Sequence, residues 1–476
     1  MHRIEHIYIN GEFVVPHGQE WFDLHNPSTE EVIGQVRLGD ALDARRAIAA
    51  AKAAFPAWSR TTREERVAAL QRMHRAVVAR EEELLQAVLV EYGAPSSRGR
   101  WMATYPAEVI AQAIDALQAF DFEEQAGMAR VILTPVGVSG LITPWNSNAG
   151  FICNKLATAL ATGCTAVIKP SEMSALQTQV VLQALHEADL PPGVFNLVNG
   201  RGDVVGEEIA RHPDVAKISF TGSSAVGQHL VRTAAATLKR VTLELGGKSP
   251  TVVLDDADFH AVMPMVLQAG FLNSGQACIA GTRILVPRTR LGEFERVAKA
   301  HVSQIQSGDP HDAATDIGPM VSQKQWERVQ RYIRIGQEEG ARLLAGGEGR
   351  PAGLDGGWFV KPTLFTDAHN GMRIAREEIF GPVLTIIPYE DDADAISIAN
   401  DTDYGLSALV LGKSPERCVK IARQIEAGRV LINTLAHEPR APFGGFKQSG
   451  LGREMGKWGM SAYLEPKTLV VSDPLK

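Results

Sequence analysis

The sequence predicts an α/β protein organised around two successive parallel sheets. Three observations predict it. From Val136 onward, apolar runs of strand length alternate with segments of helix length. Repeated strand–helix–strand units imply right-handed crossovers and a parallel sheet covered on both faces. A second alternation of the same kind begins near Gly246. The chain is 476 residues long, with 45% hydrophobic and 22% charged residues, a length and balance suited to two or three domains with a large core.

The elements follow in order. Residues 6–37 read as short strands with turns, and Asn10-Gly11 marks a hairpin. Two helices are expected over Asp40–Ala57 and Thr61–Val90, the second with Thr61 or Thr62 as cap ahead of Glu64-Glu65. Another is expected over Tyr105–Phe120, followed by an extended stretch over 121–135. The first sheet takes strands at Val138–Ile142, Thr165–Ile168, Val194–Val198, Ala216–Phe220 and Val241–Leu245. Helices over Gly150–Ala161, Ser174–Ala188, Asp203–Arg211 and Ser223–Ala236 connect them. The second takes Thr251–Leu254, Arg283–Val286, Val383–Tyr389, Leu406–Leu411 and Arg429–Asn433, with helices at Leu291–Gln306 and Lys324–Glu339. The glycine-rich stretches at 346–347 and 353–357 read as a loop. Ser461–Val471 is extended and free to pair with 121–135 or with a second chain.

Composition narrows the function. A net charge of −7 provides no basic field for nucleic acid or an anionic membrane. No apolar run reaches the length of a membrane span, and the opening MHRIEHIYINGEF has no signal-peptide core. Cys153, Cys164, Cys278 and Cys418 form no CxxC pair and lie at no metal-ligand spacing from histidine. Reduced thiols, a cytoplasmic location and no metal site are therefore expected.

Ligands of parallel sheets bind beyond the carboxyl ends of the strands, and the unusual residues fall there. Asn146, in Thr143-Pro144-Trp145-Asn146, offers an amide donor to a developing oxyanion, or else forms a turn beside the proline. Lys169 and Glu172 bracket Pro170-Ser171 and suit a ribose, or form a surface ion pair; a carboxylate there repels a 2′-phosphate. Gly200-Arg201-Gly202 through Gly206 misses the dinucleotide fingerprint by one position and reads as a tight helix start. Gly222-Ser223 opens a helix whose N–H groups suit a pyrophosphate or a plain cap. Glu244 sits in an apolar run beside Gly246-Gly247, as a general base or a buried, paired carboxylate. Cys278, in Asn273-Ser274-Gly275-Gln276-Ala277-Cys278, is either a nucleophile on an accessible turn or a small buried hydrophobe.

Taken together and in order, these segments resemble the NAD(P)-dependent aldehyde dehydrogenase superfamily. The resemblance runs from NPSTEEVIG at Asn26 to GREMG ending at Gly456. It rests on LELGGKSP, NSGQACIAGTR, EEIFGPV and PFGGFKQSG. It implies an aldehyde dehydrogenase-like fold: a Rossmann-type cofactor domain (1–116 and 136–245), a catalytic domain (246–462), and a small β arm (117–135 and 463–476) that joins a homodimer or homotetramer. It implies oxidation of an aldehyde to its acid with NAD, NADP being possible, through a hydrolysed thioester. Cys278 would be the nucleophile and Glu244 the base, with Asn146 an oxyanion donor and Glu454 an auxiliary acid. Lys169 and Glu172 would hold the adenine ribose, Gly222 and Ser223 the pyrophosphate, and Glu378 the nicotinamide ribose beside Phe380. Thr143, Trp145, Ser171, Gly202, Leu245 and Gly246 would complete the cofactor site. Ser147, Phe151, Asn154, His437 and Arg440 would face the aldehyde. Asn154 stands where some members carry a tunnel tryptophan, so the tunnel is expected to be wide or polar, lacking an aromatic wall, and suited to a functionalised aldehyde. Coenzyme A-acylating members generally lack a base at the position of Glu244. A non-catalytic relative would have lost Cys278, Glu244 or Asn146.

Overall fold

The computed structural model describes residues 1–470. Its first sheet holds β1 (Val138–Ile142), β2 (Thr165–Lys169), β3 (Phe195–Leu197), β4 (Val215–Thr221) and β5 (Arg240–Glu244). They run parallel in the spatial order β5-β4-β1-β2-β3. The order reverses between β1 and β4, and such a switch point opens a crevice at the strand ends. The hairpin of Ile7–Ile9 and Glu12–Val14 extends the edge beyond β3. Gly450–Leu451 closes the other edge, antiparallel to β5, with Glu244 opposite Gly450.

Both faces of this sheet are covered. On one lies α1 (Ala41–Trp58), whose Ala44, Ala47, Ile48 and Ala51 pack against Val138, Val167 and Val198. Asp40 caps it, accepting from the N–H groups of Leu42 and Asp43. On the other face lie α2 (Arg63–Val78), α3 (Ser96–Ala119), α4 (Asn148–Ala161) and α5 (Ala175–Glu187). Helix α4 is mostly apolar, and every residue in it but Phe151 is buried, as a central core helix requires. Fully buried Ile152, Leu156 and Leu160 each stabilise the fold by about 1.5–3 kcal/mol. A further helix, α6 (Ser224–Ala235), starts beyond β4 with Ser223 as cap.

The second sheet holds β6 (Pro250–Val253), β7 (Arg283–Pro287), β8 (Thr363–Thr366), β9 (Val383–Tyr389), β10 (Ser407–Leu411) and β11 (Arg429–Ile432). Its order is β8-β9-β7-β6-β10-β11, all parallel, with Arg342–Ala345 antiparallel outside β8.

Several expectations change. The single helix over Thr61–Val90 is three pieces: α2, then Glu81–Ala87, then a π turn over Val88–Tyr92. No glycine or proline marks the break in the sequence. Helix α3 begins at Ser96 rather than Tyr105, and Pro106 lies inside it. The proline and the weak formers Ser96, Ser97 and Gly99 obscured that start. The strand Arg342–Ala345 and β8 went unseen because they are short and flank glycine-rich turns. Ser461 ends a helix, Gly456–Ser461, and the strand that follows is Leu464–Val470. It pairs within the chain, antiparallel to Ala129–Pro135, which also pairs with Glu123–Ala126. Val471 and the residues to 476 lie outside the described residues. No helix among the described residues is long and apolar enough to cross a membrane.

Candidate active site

Cys278 is presented by a loop that is pinned, not loose. Asn273, Ser274 and Gly275 are successively left-handed, with φ of 52°, 57° and 74°. A non-glycine residue there costs about 1–3 kcal/mol and persists only when its surroundings over-determine it. They do. Asn273 Oδ1 accepts from Arg98 Nε at 2.5 Å. Ser274 Oγ accepts the Gly318 N–H at 3.0 Å. Gln276 Oε1 accepts the Val321 N–H at 3.0 Å, and its Nε2 donates to the Pro319 carbonyl at 3.3 Å. A β-carbon on Gly275 would lie 2.1 Å from the Gly381 carbonyl oxygen, so this glycine is required for close approach.

Cys278 is the cysteine that is not fully buried; Cys153, Cys164 and Cys418 are. Its thiol nevertheless sits deep in a crevice. Desolvation, with the Glu378 and Glu244 carboxyls nearby, pushes its pKa up to about 12, opposed by Arg429. It rests as the neutral thiol.

Asn146 follows β1 and is buried. Its Nδ2 donates to the Gln276 carbonyl at 3.0 Å, which fixes the amide and leaves a second N–H to offer. Glu244 ends β5, and neither carboxyl oxygen has a partner. Burial and then the Glu454 charge raise its pKa well above the usual range, against Lys155 and Arg453. Gly444 packs so closely that a β-carbon would lie 2.7 Å from Glu244 Oε1. An orphaned, protonated carboxyl in a core calls for an explanation beyond packing.

Glu454 faces α4. It accepts from Asn154 Nδ2 at 3.0 Å, from Ser219 Oγ at 3.1 Å and from Lys155 Nζ. The sequence reading missed Lys155, although a lysine inside so apolar a helix was a signal. Residues 151, 154 and 155 share a helix face by their spacing of three and four.

Two cavities of about 320 Å³ each meet at Asn146 and Cys278. One lies over the switch point, between Trp145, Gly222, Ser223, Leu245, Glu378 and Phe380. There Glu378 Oε1 accepts the Gly247 N–H at 3.1 Å, and burial pushes its pKa up to about 7. Gly246 makes room for it, since a β-carbon would lie 2.4 Å from Glu378 Oε2. Trp145 meets Phe380 edge-on at 5.4 Å. Phe380 is left-handed, with φ of 64°, and Gln325 Nε2 donates to its carbonyl at 2.7 Å.

The other cavity takes its walls from α3, α4 and the segment after β11. Ser147, Phe151, Asn154 and His437 line it, as do Trp101, Tyr105, Arg98, Arg429 and Phe443. Two expectations fail here. Arg440 is exposed and pairs with Glu438 at 2.9 Å, away from the cavity. The aromatic wall is present after all: Trp101 and Tyr105 stack at 4.4 Å, supplied by the part of α3 around the early start. Asn154 does line the cavity, but its amide is committed to Glu454.

Other expected cofactor residues lie outside the enclosed space. Lys169 Nζ pairs with Glu172 at 3.0 Å beyond β2, with Arg201 at 3.9 Å from the same carboxylate. Ser171 caps the turn Glu172–Ser174, and Gly202 is exposed in a π turn. Thr143 turns inward, its Oγ1 donating to Asn148 Oδ1 at 2.9 Å. Among the described residues no cluster of His, Cys, Asp and Glu is disposed to hold a metal.

The geometry has close counterparts. The family model described as the aldehyde dehydrogenase family matches residues 13–469. A 3-succinoylsemialdehyde-pyridine dehydrogenase of a Pseudomonas species is 45% identical over 97% of this chain and 98% of its own length. Aldehyde dehydrogenase C of Pseudomonas syringae, solved as a cysteine-to-alanine variant with NAD+ and octanal, superimposes with a TM-score of 0.97 at 45% identity, covering 100% of this chain and 99% of that one. An NAD+ complex of a Mycobacterium tuberculosis aldehyde dehydrogenase does so with a TM-score of 0.96 at 38% identity, covering 99% and 98%. With the family model matched over residues 13–469 and the fold reproduced over the whole of this chain, it belongs to the aldehyde dehydrogenase family.

Proposed function

We propose that the protein oxidises a functionalised aldehyde to its carboxylic acid with NAD, through a thioester on Cys278 that water hydrolyses. The observation that carries this reading is the meeting of two cavities at Cys278 and Asn146.

The residues fit a dinucleotide. The switch-point crevice, the start of α6 at Ser223, and the space that Gly246 leaves beside Glu378 give a path for it. Ser223 and the first N–H groups of α6 would hold the pyrophosphate. One Glu378 oxygen is held by the Gly247 N–H, and the other would accept from a ribose hydroxyl. Lys169 and Glu172 pair a donor with an acceptor for the second ribose, and the carboxylate favours NAD over NADP. When bound, NAD supplies the acceptor for the hydride.

The chain's own groups do the rest. Cys278 gives its thiol proton to solvent in the crevice, and Sγ bonds to the carbonyl carbon as the carbonyl π pair moves onto the oxygen. The Asn146 amide and the Cys278 N–H hold the oxygen that becomes negative. After oxidation Cys278 carries the acyl group. Water entering the crevice rehydrates Glu244, relieves the burial that keeps it protonated, and lets it take a proton from the attacking water. The carbon–sulfur bond breaks, the acid leaves, and the thiol is restored. The ion pair of Lys155 and Glu454 acts on Glu244 through its charges, the carboxylate raising and the ammonium lowering its pKa. The unshared Glu244 favours hydrolysis over transfer to coenzyme A.

The test is a spectrophotometric screen of reduced-cofactor formation with aliphatic, aromatic, hydroxylated and carboxylated aldehydes, NAD against NADP, with and without coenzyme A. Turnover without coenzyme A is expected. Turnover only with it would overturn the assignment of Glu244, and no turnover with any pair would overturn the enzymatic reading. We further assign a homodimer or homotetramer through the edge strand Leu464–Val470, whose Leu469 and Val470 are exposed; light scattering would read its mass. The free cysteines favour a reducing, cytoplasmic setting.

A further inference from the structure

The second cavity contains an arrangement that oxidation of a plain aldehyde does not need. Arg98 and Arg429 both line it. Neither has a carboxylate partner among the described residues. Arg98 gives its Nε to the Asn273 side chain and lays its guanidinium over Trp101, 3.7 Å from the ring centroid. Arg429 gives Nε and Nη2 to a single oxygen, Ser407 Oγ, both at 3.3 Å. Each therefore keeps N–H groups with no acceptor among the described residues.

The charges around them do not compensate. The pKa of Arg98 is lowered to about 10, first by burial, and only Tyr92 and Tyr105 oppose the shift. That of Arg429 is lowered by burial too, opposed by Cys278 and Tyr105. Glu454, the carboxylate on the cavity wall, is taken up by Lys155, Ser219 and Asn154. His437 belongs to the same cluster. Its Nε2 is buried without a partner, and burial together with the charges of Arg429 and Arg98 lowers its pKa, so the ring is neutral. Two desolvated guanidinium groups with open N–H positions, beside an unpaired imidazole, make a set of donors suited to an anion.

We propose that this cavity selects aldehydes carrying a carboxylate at the far end, with Arg98 and Arg429 as the specificity-determining cations. The proposal rests on the reading of the Cys278 cavity as the aldehyde site. The aromatic and aliphatic walls, Trp101, Tyr105, Phe151 and Leu435, then hold the carbon chain between the two polar ends. A volume of about 320 Å³ is at the lower end of ligand pockets, which favours a short oxo acid over a long one. His437 Nε2 adds a neutral hydrogen bond that an uncharged hydroxyl or keto group also satisfies.

The experiment compares chain-length-matched pairs, an ω-oxo carboxylate against its neutral methyl ester and the plain alkanal, in wild type, Arg98→Gln and Arg429→Gln. Wild type is expected to prefer the carboxylate in kcat/KM by about 10- to 100-fold. Each substitution should remove most of that preference, read within each variant as the ratio of kcat/KM for the carboxylate to kcat/KM for the alkanal; alkanal turnover itself is free to fall, because Arg98 also holds the Cys278 loop through Asn273 and Arg429 acts on the thiol. Equal or better use of the alkanal by wild type would overturn the proposal, as would equal losses on all substrates in the variants. Should a variant not fold, short saturated carboxylates serve as probes of wild type. They are expected to inhibit alkanal oxidation competitively against the aldehyde, and no inhibition would overturn the proposal. Failure of the underlying aldehyde reading looks different, since no member of any pair would then turn over.

Discussion

The two cavities that meet at Cys278 are made in opposite ways. The one over the switch point is built from strand ends: Trp145 follows β1, Gly222 and Ser223 follow β4, and Glu244 to Gly246 follow β5. Its ionisable groups include the carboxyls of Glu244 and Glu378. The other is gathered from α3, α4 and the segment from Arg429 to Phe443, and its unpaired charges are the cations Arg98 and Arg429. A parallel sheet dictates where the first must be, since its strands end on one edge. Nothing so general dictates the second, which is free to differ in what it binds while the chemistry on the shared wall stays the same.

Substitutions can sharpen or break that contrast. The largest effect belongs to the shared wall. Cys278→Ala should lower oxidation by at least about 10⁴-fold and leave NAD binding, read by fluorescence titration, nearly intact. Substantial residual activity would remove Cys278 from its assigned place. Glu244→Gln, which alters only the switch-point side, should reduce steady-state turnover by about 10²–10⁴-fold yet preserve the first burst of reduced cofactor. Because burial raises the Glu244 pKa, its carboxyl is protonated at the lower end of the range and ionises as pH rises. Hydrolysis in wild type should therefore increase with pH, and the variant should lack that rise. A variant with the same pH profile would put the base elsewhere. Asn146→Ala, again on the shared wall, should reduce kcat by about 10²–10³-fold; a change confined to KM would mean that the amide only positions substrate. The smallest effect belongs to Arg440, which touches neither cavity. Arg440→Ala should shift stability by less than about 0.5 kcal/mol and leave the KM for every aldehyde unchanged. A raised KM would restore the tunnel role that the sequence suggested.

The same contrast explains what could be read in advance. Strands β1 to β5 were located to within a residue or so, because buried parallel strands are apolar runs bounded by turn residues. The residues singled out after them largely fell where strand ends should be. Arg98 and Trp101 lie before the expected helix start, which Pro106 and weak helix formers obscure, whereas Tyr105 stands on the expected helix with no sequence sign that it faces a cavity. Arg429 was placed on its strand but given no partner or purpose, since the residue it shares a cavity with lies more than three hundred positions away. His437 and Arg440 stand three apart in one segment, yet one lines the cavity and the other faces solvent. No periodicity separates them in an irregular loop. The left-handed run Asn273–Gly275 was equally invisible, for its conformation is imposed by partners at 98, 318 and 381.

The edge strand Gly450–Leu451 has a consequence for how the protein is made. It closes β5 at Glu244, the Leu245 N–H donates to the Ser449 carbonyl at 2.9 Å, and Ser449 Oγ donates to the Gly246 carbonyl at 2.7 Å. Gly444 then packs on the Glu244 carboxyl, and Glu454 supplies the counter-charge to Lys155. On the ribosome the segment holding Cys278 emerges long before these residues do. A nascent or truncated chain ending short of them has its cysteine without the enclosed carboxyl beside it and with the first sheet open at one edge. The segment from Gly444 to Glu454 thus acts as a late check on the site, keeping the Cys278 thiol from a finished crevice until that segment has been synthesised and has docked on β5.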